Sequence, residues 1–507
     1  MTRRVVVSAL CCALWVLTTG CGDECTDAFD CRNDNGQPAA GQEWSCNSDN
    51  KCEQRPVEQP SGEDAGTDAG TGEEDAGVDA GVDAGTQVDA GTDAGMQVDA
   101  GTDAGSMSVP KGEACISSAD CLPGLRCEGT PSLCQAMHVA VTTTMDADGG
   151  YMAVVMRYDT PGMVPLTDAG TSSRYPRWGP GGSRIGFAQN AIETGKNSGN
   201  EAGELVVRDI PLVADQAAVF ADGDTGNTES FRYMEWEPGT SILYVRRKAS
   251  STSGISAVPA DGGAVVEATQ TGTFPDWASD GTTFAFSTAT EGLSTSTVGG
   301  TPAPIAGSGG TAEQPHYNRA NNQLLFLRAD ATKPGDFNTS LFVIPVTGGT
   351  VQTIADFTTE PVTEPAPGGS IDSYIANPAW APDGSMVAYV RAYYSNRQGF
   401  APELCGNASA TLCPDRPGNV LFVRLINTQT GAGAADEASF VESGTLPSFS
   451  PDGRYLAYVK GGQLYVQQID PATGRAAAGV APIIHPKGGY TIQTGAGDDH
   501  RPRWQPK

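Results

Sequence analysis

The sequence predicts an all-β protein whose main domain is a β-propeller, preceded by disulfide-rich modules and a disordered linker. An aromatic hairpin pattern recurs along the second part of the chain. The stretches between its copies have the alternating strands and glycine-rich turns of further hairpins. A run of Asp-Ala-Gly triplets between two groups of cysteines separates this part from the N-terminus.

The recurring unit is clearest in LPSFSPDGRYLAYVK, residues 446–460. Related copies occupy 175–189, 233–247, 274–288, 314–328 and 377–391, with a truncated copy at 500–507. Each predicts a β-hairpin, because a strand ending in a large aromatic residue is followed by turn formers and a second apolar strand. We expect the aromatic residues to fill core layers rather than to bind a ligand. They are Trp178, Trp236, Trp277, Tyr317, Trp380, Phe449 and Trp504.

Turn-forming residues follow the aromatic residue in these hairpins. Proline presets φ, aspartate hydrogen-bonds the local backbone, and glycine accepts a positive φ. The clearest turns carry Asp383 with Gly384, and Asp452 with Gly453. A second pair of strands follows, as in residues 463–477, so that four short antiparallel strands fill the shortest repeat interval of 40 or 41 residues.

Longer repeat intervals are expected to hold surface insertions rather than extra blades. The insertions are 192–203, the segment before Asn377, and 391–418. The last contains Cys405 and Cys413, which we interpret as one disulfide that closes a long loop. If the protein recognises a partner, we expect recognition in these irregular parts, and especially in this loop.

The repeat pattern resembles a known family. A tryptophan followed by Pro-Asp-Gly, an apolar strand with a central alanine, a second strand and a D-x-x-x-G turn is similar to the WD-like propeller repeat of the TolB type. The resemblance covers about 175–507 and implies a propeller fold with a binding role. It does not imply the TolB partnership, because the N-terminal α/β domain of that family is missing here.

The number of blades follows from the two ends of the repeat region. The last aromatic strand, ending at Trp504, has no strands after it, whereas 138–144, 151–159 and 163–168 have the pattern of three strands with no aromatic strand before them. We therefore predict seven four-stranded blades, closed by the C-terminal strand joining the N-terminal strands. Closure removes exposed sheet edges. A six-bladed ring with the N-terminal strands packed elsewhere is the alternative.

The N-terminus has the organisation of a secretory signal. A short basic segment precedes an apolar run over 5–17, and small residues precede Cys21. Residues 18–21 resemble a bacterial lipobox, although Leu17 lies one position further back than the leucine usual in that motif. The resemblance implies cleavage before Cys21 and attachment of lipid to it. The alternative is a secreted protein in which Cys21 forms a disulfide.

Ten of the 13 cysteines remain after the signal segment and Cys21 are set aside, and an even number suits an exported, disulfide-bonded protein. Eight of them form two similar modules, each expected to contain two disulfides with three possible pairings. Zinc binding is disfavoured, because the spacing is not CxxC and no histidine lies in either group. The first module holds Cys25, Cys31, Cys46 and Cys52; the second holds Cys115, Cys121, Cys127 and Cys134.

Between the modules, residues 61–107 carry nine Asp-Ala-Gly triplets and 12 acidic residues but no lysine or arginine. Such a segment has little apolar surface to bury and repels itself, so we expect disorder. Its spacing lacks the ligand pattern of a calcium loop. The expected domains are a signal peptide at 1–20, a lipidated N-terminus with the first module at 21–56, the linker at 57–110, the second module at 111–136 and the propeller at 137–507.

Composition and motifs narrow the possible functions. The net charge of −29 argues against nucleic acid binding, which needs a basic footprint. Metalloprotease, serine hydrolase, Walker and dinucleotide motifs are missing, so we expect no metal and no cofactor. His316 and His500 precede their aromatic residues on the strand nearest the propeller axis, where propeller lyases hold a metal.

The favoured hypothesis is a lipid-anchored cell-envelope protein, not an enzyme, whose propeller is a binding or scaffold module. Its expected partners are the membrane, through the anchor, and an unidentified envelope protein or glycan. We expect an outer-membrane lipoprotein that faces the periplasm or the cell surface. The alternatives are a metal-dependent propeller enzyme such as a polysaccharide lyase, and a structural envelope protein that contacts the cell wall.

Overall fold

The computed structural model describes much of the region after residue 108 and a short segment before it. The described residues are 42–47, 51–56, 109–145, 150–167, 171–191, 204–210, 218–221, 229–236, 241–248, 254–260, 264–288, 291–318, 320–329, 339–357, 359–362, 369–395, 403–404, 419–434, 438–486, 490–494 and 500–507.

The chain divides into two compact units, residues 1–107 and 108–507. In the first unit, strands β1 (Gln42–Cys46) and β2 (Cys52–Pro56) form an antiparallel hairpin. Its register places Cys46 opposite Cys52, two residues of the first Cys-rich module.

The second unit begins with the second Cys-rich module, whose short hairpin consists of β3 (Leu125–Glu128) and β4 (Leu133–Ala136). Three strands of the propeller follow, namely β5 (His138–Met145), β6 (Tyr151–Arg157) and β7 (Val164–Pro165).

Blades 1 to 4 follow in chain order, and each is a four-stranded antiparallel sheet. Blade 1 contains β8 (Thr171–Trp178), a 3-10 turn (Pro180–Gly182), β9 (Arg184–Ala191), β10 (Glu204–Asp209) and β11 (Ala218–Ala221). Blade 2 contains β12 (Glu229–Trp236), β13 (Ser241–Lys248), β14 (Gly254–Pro259) and β15 (Val266–Thr269). Blade 3 contains β16 (Thr273–Trp277), β17 (Thr283–Thr288), β18 (Gly292–Thr297) and β19 (Ala303–Pro304). Blade 4 contains β20 (Ala312–Asn318), β21 (Gln323–Ala329), β22 (Thr339–Pro345) and β23 (Gln352–Ala355).

Blades 5 and 6 carry short strands beyond the basic four. Blade 5 contains β24 (Thr359–Val362), β25 (Gly369–Trp380), β26 (Met386–Ser395), β27 (Glu403–Leu404), β28 (Asn419–Leu425) and β29 (Ala438–Glu442). Blade 6 contains β30 (Gly444–Phe449), β31 (Tyr455–Lys460), β32 (Gln463–Asp470), β33 (Arg475–Ala476) and β34 (Ile483–Ile484). The last strands of the chain are β35 (Tyr490–Ile492) and β36 (Arg503–Trp504).

The two ends of the repeat region meet in blade 7. Strands β35 and β36 both pair with β5, and Trp504 lies opposite Val139. Strand β5 pairs with β6, and β6 with β7, so one C-terminal and three N-terminal strand positions complete the blade. The prediction of seven blades closed by this seam is confirmed, and the six-bladed alternative is wrong.

Apolar clusters fill the spaces between neighbouring blades. Trp236 packs with residues of blade 1, Trp277 with residues of blade 2, and Tyr317 with residues of blade 3. Burial of these side chains removes apolar surface from water and holds each blade against the next. Between blades 7 and 1, buried hydroxyls also bond across the interface: the Thr142 hydroxyl accepts the Tyr175 amide at 3.1 Å.

Each first strand of blades 1 to 6 contains a break in its pairing. In blade 1, the register shifts between Arg174 and Arg177, and Tyr175 adopts a φ of 58°. This is the geometry of a β-bulge, which twists a strand and turns its side chains to new directions. The same break recurs three residues before every aromatic landmark of these blades, with φ between 49° and 58°, at Tyr175, Tyr233, Phe274, Gln314, Asn377 and Leu446.

Candidate functional site

The antiparallel order of the strands gives the propeller two different faces. Strands 1 and 3 of a blade run one way and strands 2 and 4 the other, so the turns between strands 1 and 2 and between strands 3 and 4 share one face. We call this the turn face. The connections between strands 2 and 3, and between one blade and the next, lie on the opposite face, which we call the insertion face.

Strand ends that flank several long connections lie at the insertion face. Residues 192–203, 330–338 and 396–418 each join the second strand of a blade to the third. The segment before β25 joins blade 4 to blade 5, and the start of β25 lies at the same face. Binding residues concentrate on loops that a rigid scaffold positions, so the insertion face is the candidate recognition surface.

Blade 5 extends further on the insertion face than a simple four-stranded blade. Strand β25 is 12 residues long, and its first residues pair with β24 on one side and with the end of β26 on the other. The end of β26 also pairs with β27, where Tyr394 lies opposite Leu404. The result is a four-stranded extension in the order β24-β25-β26-β27. The predicted loop 391–418 thus includes the end of β26 and strand β27, and its two cysteines lie outside the described residues.

Several predicted site residues lie outside the described residues. They are Cys21, Cys25, Cys31, Cys405 and Cys413, together with the signal segment and the acidic linker. Among the residues that the structure describes, no helix is long and apolar enough to cross a membrane.

The aromatic landmark residues are buried between blades. Trp178, Trp236, Phe449 and Trp504 are each 7% exposed, Trp277 is 1% exposed, Tyr317 is 6% exposed, and Trp380 is half-buried. They therefore occupy interior positions rather than a binding surface. Burial raises the pKa of the Tyr317 hydroxyl, as expected for a phenol removed from water.

The predicted turn residues cap their hairpins on the turn face. The Asp383 carboxylate accepts the Ser385 amide at 2.9 Å, and Gly384 has a φ of 72°. At the next repeat, one oxygen of Asp452 accepts the Arg454 amide at 3.1 Å, and Gly453 has a φ of 68°. Both turns need glycine because a side chain is unfavourable at these φ values.

A charged cluster joins the first strands of three blades. The Arg177 guanidinium is 3.4 Å from the Glu235 carboxylate and donates to the Met234 carbonyl at 2.9 Å. The Arg503 guanidinium reaches the same Glu235 oxygen at 2.7 Å. Glu235 thus links blades 1, 2 and 7. The Arg177 side chain is only 3% exposed, so its buried positive charge needs these partners to compensate for the loss of water.

A second arginine of the C-terminal segment reaches in another direction. The Arg501 guanidinium donates to the Pro378 carbonyl in blade 5 at 2.7 Å, passing over blade 6. Arg501 and Arg503 therefore tie blade 7 to blades that are not its neighbours. The C-terminal segment therefore contacts the first strand of blade 2 and strand β25 of blade 5.

The histidines have structural environments. His500 is 3% exposed and stacks on Tyr175 with ring centroids 5.0 Å apart, and the His316 backbone carbonyl accepts the Trp380 indole. In the described part of the chain, one group of three potential metal ligands lies close enough together, and its members are Cys115, Cys121 and Cys134. These sulfurs belong to disulfides. His316 and His500 are thus not gathered into a three-ligand metal cluster among the described residues.

His138 and His485 lie near the seam. The ring of His138 is 2.9 Å from the Gln505 side-chain oxygen, and burial lowers the pKa of His138 to about 4. The Nε2 atom of His485 is 3.0 Å from the Tyr158 carbonyl oxygen, and burial lowers the pKa of His485 as well. Both imidazoles are therefore neutral at pH 7.

The second Cys-rich module is closed by two disulfides that cross in sequence. Cys115 pairs with Cys127, and Cys121 pairs with Cys134. The structure selects this pairing from the three that the sequence allows. The module lies against the turn face, because the Gly124 amide donates to the second Asp452 oxygen at 2.7 Å. Sequence reasoning missed this role of Asp452 because nothing local distinguishes it from the other turn aspartates.

The fold therefore defines a seven-bladed β-propeller protein with a disulfide module on its turn face. No family model matches the chain, and no curated protein matches it. Among solved structures, TolB from Acinetobacter baumannii is 12% identical with a TM-score of 0.38, and the match covers 73% of this chain and 67% of that one. A second TolB, described as putative, from Agrobacterium tumefaciens is 15% identical with a TM-score of 0.35, and the match covers 64% of this chain and 99% of that one.

An oligogalacturonate lyase in complex with manganese is also similar, at 12% identity and a TM-score of 0.40, and the match covers 71% of this chain and 87% of that one. Such distant resemblance carries no argument about function. The propeller fold of this chain rests on its own strand pairing.

Proposed function

We propose that this protein is a lipid-anchored component of the bacterial cell envelope and that its propeller binds a protein or glycan partner through the insertion face. The anchor would be Cys21, and the acidic linker would separate the membrane from the propeller. The second unit begins with the module on the turn face, and the partner would bind the opposite, insertion face.

One observation carries the proposal: the four-stranded extension of blade 5 rises on the same face that receives the long connections. A propeller needs only short connections to close, so extra strands there serve something other than closure. The extension offers a rigid base for the loop that follows Leu404.

Partner binding is tested by removing this loop together with the end of β26 and strand β27 in the full exported protein. Ala392 and Asn419 lie opposite each other in register, so Asn-Gly can replace 393–418 as a two-residue hairpin turn. The matched control replaces 330–338 with Asn-Gly between the paired residues Ala329 and Thr339 on the same face of blade 4.

We expect crosslinking in envelope fractions to capture a defined partner with the intact protein and with the blade 4 control, but not with the blade 5 variant. Equal capture by all three proteins would overturn the role of blade 5. Failure of the intact protein to retain any partner above background would overturn the binding function.

The anchor is tested separately with Cys21→Ala. We expect the intact protein to incorporate a labelled fatty acid and to sediment with membranes, because lipid on the N-terminal cysteine supplies buried methylene groups. The variant should lose the label and stay in the soluble fraction. Unlabelled intact protein would overturn lipid anchoring without affecting the binding proposal.

A further inference from the structure

The seam in blade 7 consists of five backbone pairs between the two ends of the propeller region. Strand β36 contributes two paired residues to β5, and β35 contributes three. The first hairpins of blades 3 and 6 have three and four paired positions, but a turn joins the two strands in each of them. No turn connects β36 to β5, so this junction depends on contacts between distant parts of the chain.

One side chain of the Cys-rich module binds the C-terminal side of this junction and the neighbouring blade 1. The Arg126 guanidinium donates to the Pro506 carbonyl at 2.6 Å and to the Gly181 carbonyl at 2.8 Å. Pro506 follows the last strand of the chain, and Gly181 belongs to the hairpin turn of blade 1. The Arg126 side chain is 10% exposed and pairs with Glu128 at 3.0 Å, so both bonds form away from bulk water.

A second contact reaches the blade on the other side of the seam. The Gly124 amide donates to Asp452 in the hairpin turn of blade 6, at 2.7 Å. Gly124 has a φ of 82°, and a Cβ atom there would lie 2.3 Å from the Tyr158 hydroxyl. The fit between the module and the propeller is therefore close enough to require glycine at this position.

Apolar contacts continue the same junction. Cys121, Leu125 and Cys134 belong to one buried cluster with Tyr158 of the blade 7 turn and Trp504 of the last strand. The Tyr158 ring lies 5.6 Å from the Trp504 ring, measured between centroids. The module thus extends the hydrophobic core that contains the seam.

The module itself depends on its disulfides. Its hairpin has only four residues in each strand, and Ile116 on its surface is 98% exposed. A segment of this size has too small a core to hold its shape without crosslinks. The two disulfides therefore also fix the positions of Gly124 and Arg126 against the propeller.

We propose that the second Cys-rich module is a disulfide-held latch that keeps the propeller ring closed by joining blades 6, 7 and 1 at the C-terminus. The ring opens at β36 when the latch is disrupted. This role concerns closure of the ring and does not depend on the identity of any partner.

The test measures amide hydrogen exchange by mass spectrometry in the full exported protein. Arg126→Met removes the two carbonyl bonds but keeps the disulfides, and Arg475→Met on the outer edge of blade 6 is its control. A second variant replaces Cys115 and Cys127 with serine, and its control replaces Cys405 and Cys413.

We expect both latch variants to exchange on the order of tenfold faster in 138–144 and 503–505, whereas blade 4 strands keep their protection. The controls should match the unchanged protein in these segments. Unchanged exchange at the seam would overturn the latch, and so would an equal increase in all blades. If the cysteine variant does not fold, Arg126→Met still decides between these outcomes.

Discussion

The indole nitrogen of Trp504 donates a hydrogen bond to the Ser448 carbonyl, with the two atoms 3.0 Å apart. Ser448 directly precedes the aromatic residue of blade 6, so the bond joins the last strand of the chain to the preceding blade. The same bond, from the tryptophan of one blade to the residue before the aromatic landmark of the previous blade, recurs from Trp178 to Arg503, from Trp236 to Arg177 and from Trp380 to His316. The aromatic residues therefore fill the core and also set the spacing of neighbouring first strands.

Trp504→Phe should destabilise the protein more than Trp277→Phe. Both changes shorten a buried side chain, but only Trp504 loses a hydrogen bond, because the Trp277 indole nitrogen is buried without a partner among the described residues. A neutral hydrogen bond contributes about 1 kcal/mol net to stability. The Ser448 carbonyl that loses its indole donor adds to the destabilisation. Urea unfolding of the two variants measures the difference. Equal losses of stability would contradict a stabilising role for the ring of indole bonds.

The architecture was predictable from the sequence because it depends on repeated local patterns. The last copy of the repeat, ending at Trp504, lacks following strands, and the strands from residue 138 lack a preceding aromatic strand. The structure pairs these two parts in one blade. The β-bulges were not predicted, although prolines in the sequence indicate their positions. Proline lacks the amide that a strand ladder needs. In six of the seven copies a proline stands two residues before the aromatic residue, namely Pro176, Pro275, Pro315, Pro378, Pro447 and Pro502.

The arrangement of the candidate site was less predictable because its contacts join residues far apart in the chain. Asp452 and Gly124 are 328 positions apart, and neither has a local pattern that distinguishes it from other turn residues. The cluster around Glu235 likewise needs the closed ring before Arg503 can approach it. Sequence patterns indicate which residues form hairpins, whereas these polar contacts depend on the order of blades around the axis.

Glu235→Gln should destabilise the protein strongly. The change removes the carboxylate that Arg177 and Arg503 share, and loss of one partner of a buried pair costs about 3 kcal/mol or more. Arg503→Gln should reduce the free energy of unfolding by less, because the ion pair between Glu235 and Arg177 remains. The double variant should lose less stability than the sum of the losses of the two single variants. A double-mutant cycle from urea unfolding measures this coupling, and strictly additive losses would rule it out.

Acidification should weaken the folded state through His138. Burial lowers its pKa from 6.5 to about 4, so between these pH values the unfolded chain binds a proton that the folded protein does not. The contribution of His138 is therefore complete above pH 6.5, falls as the pH decreases, and is lost below about 4. The shift corresponds to on the order of 3 kcal/mol.

The measurement compares urea unfolding of the unchanged protein and of His138→Gln from pH 7 to pH 4. The variant should show a shallower decline in stability with acid. Some decline should remain, because burial lowers the pKa of His485 in the same direction. Parallel curves for the two proteins would exclude His138 as a source of the acid sensitivity.

The bulge conformation predicts an inversion of the usual preference between alanine and glycine. Gln314 has a φ of 52°, which is unfavourable for any residue with a Cβ atom, so Gln314→Gly should be about 1 kcal/mol more stable than Gln314→Ala. At the preceding residue, Glu313 is paired with Leu327 in the regular strand, so glycine should be the less stable of the two replacements there. Comparing the two replacements at one position cancels the loss of the original side chain. The measurement is the urea midpoint of the four variants. If alanine were the more stable replacement at both positions, residue 314 would lie in a regular strand and the bulge would be excluded.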